Sequence, residues 1–139
     1  MPPQSGSTTA PPQDAVRAAE PCVAAAAAGA QPAIDLAHLD RMTFGQVNLA
    51  REVLRLFGRQ ADTLSAHIKR ARPSSAARLA HTLKGSARGI GAWKVTATAE
   101  EYALAAQESG FEKLARNFEQ LGRAILEARA AIRVLLAAP

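Results

Sequence analysis

Aromatic side chains are scarce in this sequence: four Phe, one Tyr and one Trp make up 4% of its 139 residues. Sheets favour aromatic and β-branched side chains, whereas this chain is rich in Ala and other helix formers, which predicts an all-α fold. Cysteine is limited to Cys22, which excludes an intrachain disulfide and a thiolate metal site. No run of about 18 consecutive apolar residues occurs, so no membrane-spanning helix is expected. The first ten residues, Met1 to Ala10, lack the positive segment of a secretory signal. A cytoplasmic location without membrane association is therefore expected. Acidic residues are absent between Asp62 and Glu100, a stretch that holds Lys69, Arg70, Arg72, Arg78, Lys84, Arg88 and Lys94. The formal charge of +5 thus has a local origin.

What is present organises the chain into a tail and one domain. Residues 1–33 are mostly Ala, Pro, Gln, Ser and Thr, with too few large apolar side chains to offset the entropy of ordering, and read as a disordered Ala/Pro-rich tail. Its Ala24–Ala28 run would support at most a marginal turn or two of helix. Residues 34–139 read as the folded domain, since one core is what a chain of this length and 48% apolar content supplies. Asp35 is placed to cap a short lead-in helix carrying Leu36, Leu39 and Met42 and ending around Gly45. Val47, Ala50, Leu54, Phe57, Ala61, Leu64 and Ile68 recur at steps of three and four, the stripe of a long second helix. Pro73 suits the first position of a third helix, which runs to about Gly89. Gly89 and Gly91 precede a fourth helix with Trp93, Val95, Ala99, Tyr102 and Ala106, which stops near Ser109 and Gly110. Phe111, Leu114, Phe118, Leu121, Ile125, Ala128, Ile132 and Leu135 mark a fifth. Four amphipathic helices with short connections predict an antiparallel four-helix bundle with a short N-terminal covering helix. A long coiled coil is disfavoured by the regular Gly and Pro breaks.

On the third helix, Ala76, Leu79, Leu83, Ala87 and Ile90 fall in one sector with Ser86 at its margin, and His81 points almost opposite. The histidine is therefore expected on the solvent side, with Ala77, Arg78, Lys84 and Gly85 as neighbours one turn away and Arg88 beyond. A glycine inside an exposed helix costs about 1 kcal/mol relative to Ala, so Gly85 calls for a compensating role, and clearing access to His81 supplies one. An imidazole open to water keeps an unprotonated nitrogen available at neutral pH and is able to attack phosphorus. Lys84 and Arg88 are positioned to neutralise phosphoryl oxygens. The competing reading is a solvated surface histidine on a basic face.

The run Ala80-His81-Thr82-Leu83-Lys84-Gly85-Ser86-Ala87, followed by Ile90-Gly91-Ala92, resembles the signature of histidine-containing phosphotransfer (HPt) domains, the intermediates of bacterial phosphorelays. A histidine, a lysine three residues on, an adjacent glycine and a Gly-Ala break in one register are more specific than a bare H-x-x-K. The resemblance extends from about Ile34 to Leu136. It implies a four-helix bundle with a covering helix, His81 as phosphoacceptor, Lys84 as the phosphoryl-stabilising cation and Gly85 as the small residue that admits the partner. It implies a phosphocarrier and not an enzyme, with no cofactor of its own. The implied partners are response-regulator receiver domains, which bring the aspartate and Mg²⁺, and a hybrid histidine kinase. Arg78, Arg88 and the second-helix residues Leu56, Arg59 and Gln60 are candidates for the docking surface. One departure stands out: Ala103 occupies the position at which many members place a Glu or Gln to hydrogen-bond the imidazole. Glu100 one turn earlier and Gln107 one turn later are the candidates to orient the ring instead.

His38 and His67 have no partners at metal-ligand spacing and are assigned to the surface, so no metal site is expected. No nucleophile–base pairing of a hydrolase is recognisable. Trp93 and Tyr102 read as core anchors. Two other functions compete with the phosphocarrier. One is a helical docking module that regulates a kinase or response regulator without carrying phosphate, against which the intact His81 and Lys84 argue. The other is nucleic-acid binding through the basic third helix, since 16 basic and 10 acidic residues follow Ala33. No binding motif supports it, and neither nucleic acid nor an oligomeric partner is expected.

Overall fold

Five α-helices account for nearly all of residues 32–138, which, apart from 109, are the residues this computed structural model describes. No strand occurs among them. The expected tail, with Cys22 and the alanine run, lies outside the described residues except for Pro32 and Ala33.

Several helix ends follow from local chemistry. Helix α1 (Leu36–Met42) begins at Asp35, whose carboxylate accepts the backbone N–H of His38 at 3.1 Å. It ends at Thr43, a buried threonine whose hydroxyl donates to the Leu39 carbonyl at 2.8 Å. Helix α2 (Val47–Arg70) stops before Pro73, which occupies the first turn of α3 (Pro73–Ile90), where its missing N–H costs nothing. Gly91 closes α3 in the left-handed conformation, φ 80°, and Ala92 N–H returns to the Ala87 carbonyl at 2.9 Å. Two further helices follow, α4 (Trp93–Glu108) and α5 (Phe111–Ala137). The Arg51 guanidinium of α2 donates to the Leu136 carbonyl at 2.6 Å, so a cation caps the negative end of α5.

The four long helices share one core. Helix α2 packs on α3 and α5, α4 packs on α3 and α5, and α1 rests on α3. Phe57, Ile68, Leu83, Val95, Tyr102, Leu121 and Ile132 are buried there, all at positions expected from the three-four rhythm. The contact between α3 and α4 is the most extensive among the described residues. Both helices bury alanines, including Ala76, Ala80, Ala87, Ala99 and Ala105, whose small side chains let two backbones approach closely. Several expected core positions are uncovered. Val47 and Phe111, at the starts of α2 and α5, are exposed because no neighbour covers those first turns, and Leu36 and Met42 leave Leu39 as the buried residue of α1.

The seat of α1 depends on a cluster that the sequence pattern did not reveal. Trp93 donates its indole N–H to Asp35 at 2.9 Å, and His38 packs edge-on against the Trp93 ring at 4.8 Å. The Nε2 of His38 donates to the Arg88 carbonyl at 2.9 Å, so this histidine is half-buried and bonded across 50 residues, not the surface residue expected. Asp35 N–H bonds the Gly91 carbonyl at 2.9 Å, and a Cβ on Gly91 would stand 2.9 Å from both the Cβ and the carbonyl oxygen of Asp35. Glycine is therefore needed at 91 twice over, for its φ and for the approach of α1.

Candidate functional site

Helix α3 buries Ala76, Ala77, Ala80, Leu83, Ala87 and Ile90, with Leu79 only partly covered. At 100° per residue this face is rotated toward Ala77 and Ala80 from the sector expected, because α4 packs on that side. The consequence for His81 is a correction. It is exposed, as anticipated, yet it stands on the flank next to Ala77, roughly a third of a turn from the centre of the packed face, where the expectation placed it almost opposite.

His81 opens into a groove of about 600 Å³ between α3 and α4. Ala77, His81 and Lys84 form its α3 wall, with Arg78 alongside, and Glu100, Ala103 and Gln107 form the α4 wall. Ala103, which stands where an imidazole partner was sought, is thus in place but carries no polar atom. Among the described residues neither Glu100 nor Gln107 hydrogen-bonds the His81 ring, although both line the groove. Glu100 instead faces Lys84, with Oε1 3.9 Å from Nζ; the lysine side chain is 21% exposed and the glutamate 56%. Leu104, which falls off the buried stripe of α4, also lines the groove and is half-exposed. Its apolar surface beside the histidine had no signal in the pattern beyond its omission from the core.

Gly85 and Arg88 line a second hollow, of about 480 Å³, whose other walls include His38, Met42 and Trp93. A Cβ built on Gly85 meets nothing within 4 Å, so packing within the chain does not require glycine there. Leu56, Arg59 and Gln60 are exposed on α2 and line neither hollow. The structure therefore brings His81, Lys84, Glu100, Gln107 and Arg78 together, sets Gly85 and Arg88 beside them, and leaves the α2 residues apart.

The charge distribution around the site is uneven. Helix α3 has no acidic residue, and α4 has none before Glu100. Asp35 at the neighbouring end of α1 is held below the ordinary carboxylate range, mainly by the Trp93 hydrogen bond, with burial opposing and the His38 N–H, His38 and Arg41 adding to it. Burial pushes the Tyr102 hydroxyl up. Among the described residues no group of three or more His, Cys, Asp or Glu is arranged to hold a metal ion, and no helix is long and apolar enough to cross a membrane.

Comparison with known proteins identifies the family. The Hpt domain family model matches residues 48–131. The chain is similar to histidine phosphotransferase ShpA from Caulobacter crescentus, with 30% identity and a TM-score of 0.57 over 73% of this chain and 88% of that one. It also shares its fold with a rice protein assigned as histidine-containing phosphotransfer protein, at 18% identity and a TM-score of 0.69 over 88% of this chain and 92% of that one. No curated protein matches the chain. The family match spans most of the helical region and contains both walls of the groove. The chain belongs to the Hpt domain family, and its function is histidine phosphotransfer in a phosphorelay.

Proposed function

We propose that His81 is the phosphoacceptor and that the chain shuttles its phosphoryl group between the aspartates of receiver domains, with a hybrid histidine kinase upstream. The observation that carries this reading is an exposed imidazole, engaged by no hydrogen bond among the described residues, in a groove with Lys84 one turn away. The unprotonated ring nitrogen attacks phosphorus as the bond between phosphorus and the receiver's aspartate oxygen breaks. The electron pair returns to the carboxylate, and the ring carries the positive charge until its other nitrogen loses a proton to water. Lys84 offsets the charge of the phosphoryl oxygens by electrostatics. The Mg²⁺ belongs to the receiver and supplies charge neutralisation there, so the chain acts as a carrier and needs no cofactor of its own. Gly85 clears the approach, and Arg78 and Arg88 favour the acidic rim of a receiver's aspartate pocket. Helices α2 to α5 act as an antiparallel four-helix bundle, with α1 as its covering helix, in a monomer that works in the cytoplasm.

Phosphoryl uptake from a phosphorylated receiver tests this directly, comparing wild type with His81→Gln. Acid-labile, alkali-stable label on wild type and none on the variant is the expected result. Receiver binding without label on either protein would instead make the chain a docking module, and label on both would move the acceptor elsewhere.

A further inference from the structure

Glu100 is the first carboxylate after a stretch of 37 residues without one, and it faces the phosphotransfer groove. Its Oε1 lies 3.9 Å from Lys84 Nζ, and the lysine is 21% exposed, leaning toward α4 and not extended into water. The surroundings are otherwise basic, with Arg78 on the same groove and Arg88 on the next hollow. In the resting chain Lys84 therefore already has an anionic partner.

Building on the assignment of His81 and Lys84 above, we infer that Glu100 is a positioning residue that holds Lys84 and sets how readily phosphohistidine gives its group away. A phosphoryl group on His81 brings roughly one and a half to two negative charges and competes with Glu100 for the same ammonium. Forming the phosphohistidine then requires Lys84 to leave or share its carboxylate, which raises the energy of the phosphorylated carrier relative to the free one. A carrier must release what it accepts, and a lysine with no competing partner would hold the phosphoryl group more firmly. Ala103 gives the ring no polar side-chain partner, and Lys84 with Glu100 is the ion pair of this groove among the described residues.

The test uses the full chain and a receiver domain with which the wild type exchanges phosphoryl groups, and reads the ratio of phosphohistidine to phosphoaspartate at equilibrium. Glu100→Gln is expected to shift that ratio toward the carrier by about threefold to fivefold, the upper part of the range for half-exposed charges a few ångströms apart. The shift should shrink as salt rises from about 0.05 M to about 0.5 M. The same substitution in a Lys84→Gln background should shift the ratio less than about twofold, because the partner through which Glu100 acts is gone. Glu101→Gln, exposed on α4 and outside the groove, should leave the ratio where it was. A Glu100→Gln ratio equal to wild type, or a shift of the same size with and without Lys84, overturns the inference. Failure of the underlying assignment looks different: wild type takes no label, or His81→Gln takes it equally well.

Discussion

Gly85 sits one turn from His81 on an exposed stretch of α3, and its missing side chain relieves no contact within the chain. Ordinary helix energetics then make a simple forecast. Gly85→Ala should raise stability by about 0.5–1 kcal/mol, because alanine loses less backbone entropy in a helix. A larger side chain, as in Gly85→Arg, should fold as well as wild type yet slow transfer from a phosphorylated receiver by tenfold or more, on the order of what about 1.4 kcal/mol of lost docking implies. Thermal melts and transfer rates on the same samples separate the two effects. A destabilised alanine variant would point to an unseen packing role, and an arginine variant that transfers at the wild-type rate would remove Gly85 from the approach path. Gly91 is the opposite case, since its positive φ and the 2.9 Å approach of Asp35 make glycine a requirement of the fold itself.

Helix α1 has seven residues, too few to persist alone, and its position rests on Asp35, His38 and Leu39. Asp35 caps the helix and receives the Trp93 indole N–H, and these bonds hold its carboxyl below its ordinary value of 3.8. A depressed carboxylate contributes stability that is fully present above the unfolded value and is lost as pH falls through the folded one. Acidification from about pH 5 to about pH 3 should therefore loosen α1, and Asp35→Asn should remove most of that pH dependence while weakening the seat at neutral pH. Trp93 is the single tryptophan, so its emission reports the event without labelling. An Asp35→Asn variant whose emission and stability follow the wild-type acid curve would show that other carboxylates govern it.

Across the whole molecule, the core ties together the two helices that form the groove's walls. Leu83 lies two residues from His81, is fully buried, and belongs to the cluster that ties α3 to its neighbours. Leu83→Ala should cost about 2–5 kcal/mol in denaturant unfolding, with the midpoint lowered and the slope unchanged. Below its transition the variant should still take phosphoryl label, because the groove walls at His81, Lys84 and Glu100 are intact. Loss of uptake from a variant that remains folded would mean that core packing sets the groove's geometry more tightly than its open walls suggest.

Sequence alone determined a good deal here. The three-four spacing of Leu54, Phe57, Ala61, Leu64 and Ile68, the proline at 73 and the glycine at 91 are local signals, and the helices follow them closely. The exposure of His81 and the run from Ala80 to Ala92 were legible for the same reason, since they depend on one helix and its period. What required the tertiary structure involves two or more elements. The rotation of the buried face of α3 toward Ala77 and Ala80 follows from α4 packing there, and an isolated helical wheel has no neighbour to say which flank is covered. The Asp35–Trp93 bond spans 58 residues and the His38–Arg88 bond 50. Glu100 was visible as a possible partner for the ring, but whether its carboxylate meets His81 or Lys84 is decided by the axial offset of α4 against α3, a quantity that only packing sets.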